Sequence, residues 1–409
     1  MAKNRAIRVG VIGVGRGQSF MQGARHTGME LVAVCDTWKE RLKDVGKRYK
    51  VATYTDYDRF LTHDMDAVVL ANYCHDHAPF AVKALRAGLH VMSECIAART
   101  MAQCVELVEA VEKSKRIYMF AENYPYMLGC QEMRRVYQTG EIGDVRYAEG
   151  EYNHPGEEDW RLSISPGVKH WRNWLPPTYY VTHALAPLMY ITDTMPVGLN
   201  ALSIAEERTQ APNSTKISDV GSVILCRMDN GSVFRIWGLM MSSSHRVRYE
   251  VHGDRGLAST EGGVTIHHEN WLRPKGVVAH RTYRPDWPEH GDLADKAGHG
   301  GGDFWTNFHF ANAIRSGKQP YLNVYRAVSM AAVSILGWRS CLSEGQNFLI
   351  PDFKSKTQRA RFRNDRWSPF PDDAGPGQPP ASLRGNLKPS APVLAHARKV
   401  WKSIWYKGR

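Results

Sequence analysis

The sequence predicts an α/β unit followed by an α+β one: a doubly wound parallel sheet first, then a domain with a large, open, mostly antiparallel sheet. Three observations carry this reading. A glycine-broken strand–helix–strand pattern fills the first 36 residues, strand and helix signals then alternate to about residue 124, and from about Val145 the strands lengthen. Turn signals such as Asp229-Asn230-Gly231 separate these later strands. The expected divisions are 1–124, 125–353 and a Pro-rich basic arm over 354–409.

The first element justifies itself chemically. Ile7-Arg8-Val9-Gly10-Val11-Ile12 is an apolar run suited to a buried parallel strand, and it breaks into Gly13-Val14-Gly15-Arg16-Gly17-Gln18. Gly13 lets the chain turn tightly off the strand, and Gly15 lets backbone approach a pyrophosphate. The helix opened by Arg16, Gly17 and Gln18 offers its positive N-terminus to those phosphates. A second apolar run, Leu31-Val32-Ala33-Val34-Cys35, ends in Asp36, placed to accept hydrogen bonds from both hydroxyls of an adenosine ribose. That choice favours NAD over NADP. Counted from Gly13, the third glycine of the pattern falls at Gln18, with Gly17 one residue early. Strand, turn, helix, strand and acid in this order predict a Rossmann domain binding NAD.

Further strands are expected at 67–71, 90–92 and 117–120, with helices near 38–49, 76–87 and 101–114, the second closed by Gly88. Ligands of such sheets sit at the carboxyl ends of the strands, so Asn72, His77 and Glu94 are expected at the cofactor, Glu94 near the nicotinamide ribose. Cys74-His75-Asp76-His77 has the composition of a metal site, but adjacent residues rarely converge on one centre and no second ligand cluster accompanies it; no metal is expected. In the second domain, strands are expected over 147–152, 223–228, 232–238 and 246–252. A helix capped by Asp303 should run to Arg315, stopped by Gly317, and another should cover 324–342. After Phe353, prolines at 369, 371, 376, 379 and 380 describe an extended arm, ending in an amphipathic basic segment over 393–405. The arm has two open placements: across a partner subunit or across its own body.

The 409 residues suffice for two or three domains, and no apolar stretch approaches the roughly 20 residues of a membrane span. The formal charge of +12 is spread along the chain, with local concentration at Lys354–Arg366 and at the C-terminal end, which argues for a solvated basic face rather than a nucleic-acid surface. Seven scattered cysteines without a C-x-x-C pair argue for reduced thiols. The start, Met1-Ala2-Lys3-Asn4-Arg5, leads straight into the first strand, so a cytoplasmic location is expected, although removal of a leader would leave the same start.

Several segments together resemble the Gfo/Idh/MocA superfamily of NAD(P)-dependent sugar oxidoreductases: Gly13-Val14-Gly15, Asp36, Asn72 with His77, Ala87-Gly88-Leu89-His90-Val91 with Glu94, and Thr182-His183-Ala184-Leu185-Ala186-Pro187. The resemblance covers most of residues 6–353. Dehydrogenases of that superfamily usually carry Glu-Lys-Pro where this chain has Glu94-Cys95-Ile96, and the lysine assists proton transfer from the substrate hydroxyl. One branch also lacks it: the NAD-dependent α-N-acetylgalactosaminidases and related glycosidases of glycoside hydrolase family 109. This chain is similar to that branch in Ala121-Glu122-Asn123-Tyr124, in Ala148-Glu149-Gly150-Glu151-Tyr152-Asn153-His154, in Tyr180-Val181-Thr182-His183, in Gly298-His299-Gly300-Gly301-Gly302-Asp303 and in Ile350-Pro351-Asp352-Phe353. The branch's Tyr-Pro-Thr-His is Tyr-Val-Thr-His here, and its Gly-Gly-Tyr is Gly-Glu-Tyr, which leaves the sugar open.

The resemblance implies a glycoside hydrolase that oxidises C3 of the sugar transiently, loses the acidified C2 proton, eliminates the C1 substituent, adds water and is reduced again. Such chemistry needs a base for the C3 hydroxyl, a base at C2 and an acid near the leaving group. The resemblance places Glu122, Tyr152, Tyr180 and His183 in this site: His183 for the C3 proton, Tyr152 for the C2 proton, Tyr180 and Glu122 in support or as acid. Asn123, Trp171 and His299 are expected to touch a carbohydrate substrate. The alternatives are a net NAD-dependent sugar or polyol dehydrogenase and a non-catalytic NAD-binding regulator. A homo-oligomer formed through the second-domain sheet and the arm is expected.

Overall fold

The computed structural model describes residues 5–205, 214–239 and 244–406; residues 1–4 and 407–409, on which the reading of the start and part of the basic end fall, lie outside it. Six strands, β1 (Ile7–Ile12), β2 (Met29–Cys35), β3 (Ala52–Tyr54), β4 (Ala67–Leu70), β5 (His90–Ser93) and β6 (Tyr118–Phe120), form one parallel sheet in the order β3-β2-β1-β4-β5-β6. This is the doubly wound order, with its switch point between β1 and β4. The turn after β1 is fixed by contact: Gly13 has φ +93°, and a Cβ there would lie 2.2 Å from the Ala71 carbonyl oxygen. The helix Gly17–Ala24 then presses on β1, where a Cβ on Gly17 would meet Val11 Cγ1 at 2.7 Å. Gly17 therefore does the helix–strand packing expected of the third glycine, one residue early because the helix starts one residue early.

The second sheet has nine strands among the described residues: β7 (Val145–Asn153), β8 (Pro196–Ile204), β9 (Gly221–Met228), β10 (Val233–Leu239), β11 (Arg246–Gly253), β12 (Leu257–Ser259), β13 (Val264–His267), β14 (His280–Tyr283) and β15 (Phe348–Leu349). Their order is β14-β13-β12-β11-β7-β10-β9-β8-β15, all antiparallel except β7 with β10. The helix Thr182–Thr192 lies so close on β7 that a Cβ at Gly150 would sit 2.0 Å from the Ala184 carbonyl oxygen. Tyr249 on β11 donates its hydroxyl to the His183 carbonyl at 2.6 Å, which seats the start of that helix. None of the described helices is long and apolar enough to cross a membrane.

One expectation is corrected. The helix Gly302–Ser316 takes Gly301, at φ +87°, as its cap, and Asp303 does no capping. Of the two placements left open for the arm, the chain shows the one across its own body. Glu106, Glu109 and Glu112, spaced three apart on the helix Met101–Ser114, pair with Arg366, Arg363 and Arg359 at 2.7, 2.5 and 2.6 Å. The stretch Lys354–Arg366 is thus in part a paired face rather than a solvated one. Farther on, Ser382 donates to Asp219 at 2.6 Å, and the helix Ala391–Ser403 buries Ala397 and Trp401 against Leu162.

Candidate active site

A cleft of about 1250 Å³ runs along the carboxyl ends of the parallel strands and meets a second cavity of about 480 Å³ under the nine-stranded sheet. Both are walled by Ile164, Trp171, Arg172, Tyr180, His183 and His299, so these residues mark the junction.

The long cleft fits a dinucleotide on its own geometry. At Gly15 a Cβ would find nothing nearer than the Arg41 guanidinium at 3.9 Å, which leaves the backbone open to a ligand. Asp36, which lines the cleft, is aimed by two backbone donors, Val14 N and Trp38 N, each at 2.8 Å. Asn72 Oδ1 is buried at the cleft without a hydrogen-bond partner, as expected of a group that pairs with a ligand.

Other residues expected at the cofactor are engaged with protein partners. Arg16 donates Nε to Glu94 at 2.6 Å and both Nη atoms to Asp303, at 2.9 and 2.6 Å. It thus joins the loop after β1 to the second domain while lining the cleft. Burial works against the charge of Arg16, but Glu94 and Asp303 outweigh it and raise its pKa. Asp303 is held far below the usual carboxylate range: burial is overcome by hydrogen bonds from Arg16 and His299. Glu94 lines the cleft with its oxygens already engaged, Oε1 by Arg16 and Oε2 by Cys95 N at 3.0 Å. His77 is a strut: Nδ1 faces the Ile96 carbonyl at 3.0 Å and Nε2 the Asn72 carbonyl at 3.2 Å, so no ring nitrogen remains for cofactor. Gln18 donates to Val14 O at 2.8 Å and accepts from Arg48 at 2.9 Å, which fixes the turn.

At the junction lies a chain of proton carriers. His183 Nδ1 meets Glu122 Oε1 at 2.7 Å, and the Cys95 thiol donates to Glu122 Oε2 at 3.1 Å. Burial tends to raise the Glu122 pKa, but its interaction with His183 and these hydrogen bonds prevail and hold it below the ordinary value. Cys95 is pushed well up by burial and by the charges of Glu122 and Glu94, so it stays a thiol. One ligand atom from each of Cys95, Glu122 and His183 lies within 4.8 Å of the others, a set chemically able to hold a zinc-like ion. In this structure Glu122 is hydrogen-bonded on both oxygens, to His183 and to the Cys95 thiol. The cluster Cys74-His75-Asp76-His77 does not converge: His75 lies tilted against Phe370 with ring centroids 4.3 Å apart, and burial takes its pKa down to about 3.

Three phenols ring the imidazole of His183, with centroid distances of 4.4 Å for Tyr124, 4.8 Å for Tyr152 and 5.0 Å for Tyr180. Burial raises all three. At Tyr180, pushed up to about 12, the Arg172 guanidinium is the largest opposing influence. At Tyr152, Tyr180 and Tyr124 add to burial and push it far higher. Trp171 stands at the junction with the Arg172 guanidinium 4.1 Å over its ring. His299 Nδ1 pairs with Asp303 Oδ2 at 3.0 Å, and Asn123 donates to Asp303 Oδ1 at 2.8 Å while its own Oδ1 is buried unpaired. Asp303 thus organises two residues expected at the substrate and one expected at the cofactor. Sequence reasoning missed it in that role, as it missed Tyr124 and Arg172; the signals were present in the Gly-rich loop before Asp303, in Ala121-Glu122-Asn123-Tyr124 and in the pair Trp171-Arg172.

Comparison with known families supports an NAD-dependent enzyme: residues 7–122 match the NAD-binding Rossmann fold of the Gfo/Idh/MocA oxidoreductase family and residues 130–259 a GFO/IDH/MocA C-terminal domain. Residues 209–359 match the C-terminal domain of glycosyl hydrolase 109, the branch to which the motifs point. A glycosyl hydrolase family 109 protein of Solibacter usitatus is 26% identical over 396 residues, covering 86% of this chain and 89% of that one. An alpha-N-acetylgalactosaminidase of Shewanella oneidensis is 25% identical over 397 residues, covering 86% of each. Among solved structures, a levoglucosan dehydrogenase in complex with NADH and L-sorbose superposes with TM-score 0.73 at 18% identity, over 85% of this chain and all of the other. The myo-inositol 2-dehydrogenase of Lactobacillus plantarum gives 0.65 at 20% identity, over 85% of this chain and 100% of that one.

Proposed function

We propose that this enzyme is an NAD-dependent glycoside hydrolase working by transient oxidation of the sugar. The observation that carries the reading is the excess of proton carriers at the junction. A net dehydrogenase needs one base for one hydroxyl, whereas Glu122–His183 is ringed by three phenols. Bound NAD would supply reversible hydride acceptance at C3. His183, its Nδ1 engaged by Glu122, takes the C3 hydroxyl proton at Nε2, and the carboxylate steadies the imidazolium. The ketone then acidifies C2. Burial raises both phenols and Arg172 opposes the rise at both, but Tyr180 is raised less than Tyr152. Of the two it therefore suits removal of that proton better, in place of Tyr152, to which the sequence reading assigned it. Tyr152, kept protonated by burial and its neighbours, suits giving its proton to the departing oxygen as the C1–O bond breaks. Water then adds at C1, restoring the Tyr152 proton. C2 regains its proton from Tyr180, and C3 regains its hydride together with the proton held by His183. Glu122 is ionised and already engaged, so it serves as support rather than acid. Trp171, Asn123 and His299 hold the carbohydrate.

The second reading, a net sugar dehydrogenase, draws on the superposition with sugar dehydrogenases. Purified protein incubated with a panel of aryl α- and β-glycosides separates the two. Hydrolysis gives aglycone over many turnovers while NADH stays at or below the enzyme concentration, and in deuterated water the released sugar carries deuterium at C2. NADH growing in step with substrate consumed, without cleavage, establishes the dehydrogenase. NAD binding with neither product leaves the non-catalytic regulator.

A further inference from the structure

The far end of the cofactor cleft is closed by a part of the chain that the family profiles do not reach: they end at residue 359, whereas Ile404, Trp405 and Tyr406 line the cleft together with Asp36, Trp38 and Arg41. Asp36 stands at the end of β2, the position that takes the adenosine ribose in this fold, so the tail arrives where the adenine must lie. Its placement is built. The helix Ala391–Ser403 docks on the helix Glu158–Ile164, with Trp401 Nε1 donating to the Leu162 carbonyl at 3.0 Å and His396 paired with Asp159 at 2.5 Å. A left-handed turn at Trp405, φ +64°, then brings Tyr406 back so that its amide donates to the Trp401 carbonyl at 3.0 Å. The Tyr406 ring meets Trp38 edge-on at 5.9 Å and packs on Gly167, where a Cβ would sit 2.5 Å from the Tyr406 hydroxyl. Trp405 lines the cleft and is left 78% exposed.

We infer that the C-terminal segment Ile404–Tyr406 is the outer wall of an adenine-binding subsite: Trp405 and Tyr406, with Trp38, enclose the adenine of the dinucleotide and slow its departure. The inference rests on NAD binding and holds for hydrolase and dehydrogenase alike. Aromatic contact with a base is sequence-tolerant, moderately strong and depends on the ring face, so loss of the indole should weaken retention roughly 10- to 100-fold.

The test is the rate at which NADH leaves the full-length protein, followed by its fluorescence during a chase with excess NAD⁺, for wild type, Trp405→Ala and Tyr406→Ala. Faster release by about tenfold or more in both variants is the expected result. Because the Trp405 side chain is exposed, that variant keeps the fold even where Tyr406→Ala loosens the helix, and release at the wild-type rate from Trp405→Ala overturns the inference. Amide hydrogen exchange gives a readout independent of catalysis: NAD⁺ should slow exchange in the peptide that ends the chain, and equal exchange with and without NAD⁺ overturns it as well.

Discussion

The two cavities that meet at His183 are built from different materials. On the cofactor side the phosphate and ribose stretch is held by backbone and fixed charge, with the rings of Trp38, Trp405 and Tyr406 confined to its far end. Gly13 is pressed on Ala71, Asp36 is aimed by two amides, and Arg16 is locked between Glu94 and Asp303. The substrate side is held by rings, with Tyr124, Tyr152 and Tyr180 around one imidazole and Trp171 under Arg172. The difference follows from the tasks. A dinucleotide presents the same phosphates and ribose at every turnover, so dipoles and ions pinned in place recognise it. A reacting sugar must give up and regain protons, so its wall needs groups whose protons can move, and paired arginines cannot provide that.

The sharpest way to separate the two sides is to remove the group at their junction. His183→Ala should lower kcat by about 10³-fold, the range of a lost general base, while NAD affinity measured by calorimetry stays within about twofold. Glu122→Gln should follow in the same direction with a smaller loss, since the imidazole remains but the charge behind it is gone. If NAD affinity fell in parallel with turnover, the division between a charge-built and a ring-built wall would be wrong.

Legibility in the sequence follows the same division. The parallel sheet announces itself locally, because Val9, Val11, Val68, Val69 and Val91 are buried on both faces and must be apolar, and the glycine turn has to occur within a few residues. The site depends on contacts the chain makes over long range. Glu122 and His183 are 61 residues apart, and the family resemblance suggested both without showing that they touch. Cys95 reads as a missing lysine; only in space does it become the thiol that fills Glu122's second oxygen. Asp303 reads as a helix cap because it follows glycines, yet Gly301 begins the helix and frees the carboxylate for Arg16, 287 residues away. The prolines of the arm predicted its irregular course and nothing about its address. That was set by glutamates at three-residue spacing on a helix whose arginine partners lie some 250 residues later, at 254 for Glu109 and Arg363.

Asp303 tests the charge-built side. Its side chain is 4% exposed and carries Arg16, Asn123 and His299, so Asp303→Asn strands a guanidinium and should cost about 3 kcal/mol in denaturant unfolding. The pH dependence has a definite sign. The folded pKa of Asp303 is depressed below its unfolded value of about 3.9, so its stabilisation is complete above that value and is lost as pH falls towards the folded one. Glu122 is depressed too and acts in the same direction. Wild type should therefore lose stability below about pH 4, and the Asn variant should show a shallower acid slope between pH 4 and pH 2. Equal slopes would mean that Asp303 is not ionised by its partners in the fold.

The smallest effects are expected along the arm, where charge pairs of one chemistry differ only in exposure. The Arg359 side chain is 3% exposed and donates to both Glu112 oxygens and to the Phe353 carbonyl, at 2.7, 2.6 and 2.9 Å. Truncating it to Ala leaves a carboxylate and a carbonyl short of donors and should cost about 2 kcal/mol. The Arg366 side chain is 65% exposed and holds Glu106 at 2.7 Å in water, where screening and side-chain entropy cancel most of the attraction. Arg366→Ala should move the melting temperature by less than about 2 °C, at low or high salt. Thermal melts of the two variants side by side decide the matter: similar losses would show that the ladder acts as one cooperative strip, whereas a loss confined to Arg359→Ala assigns the docking of the arm to its buried first rung.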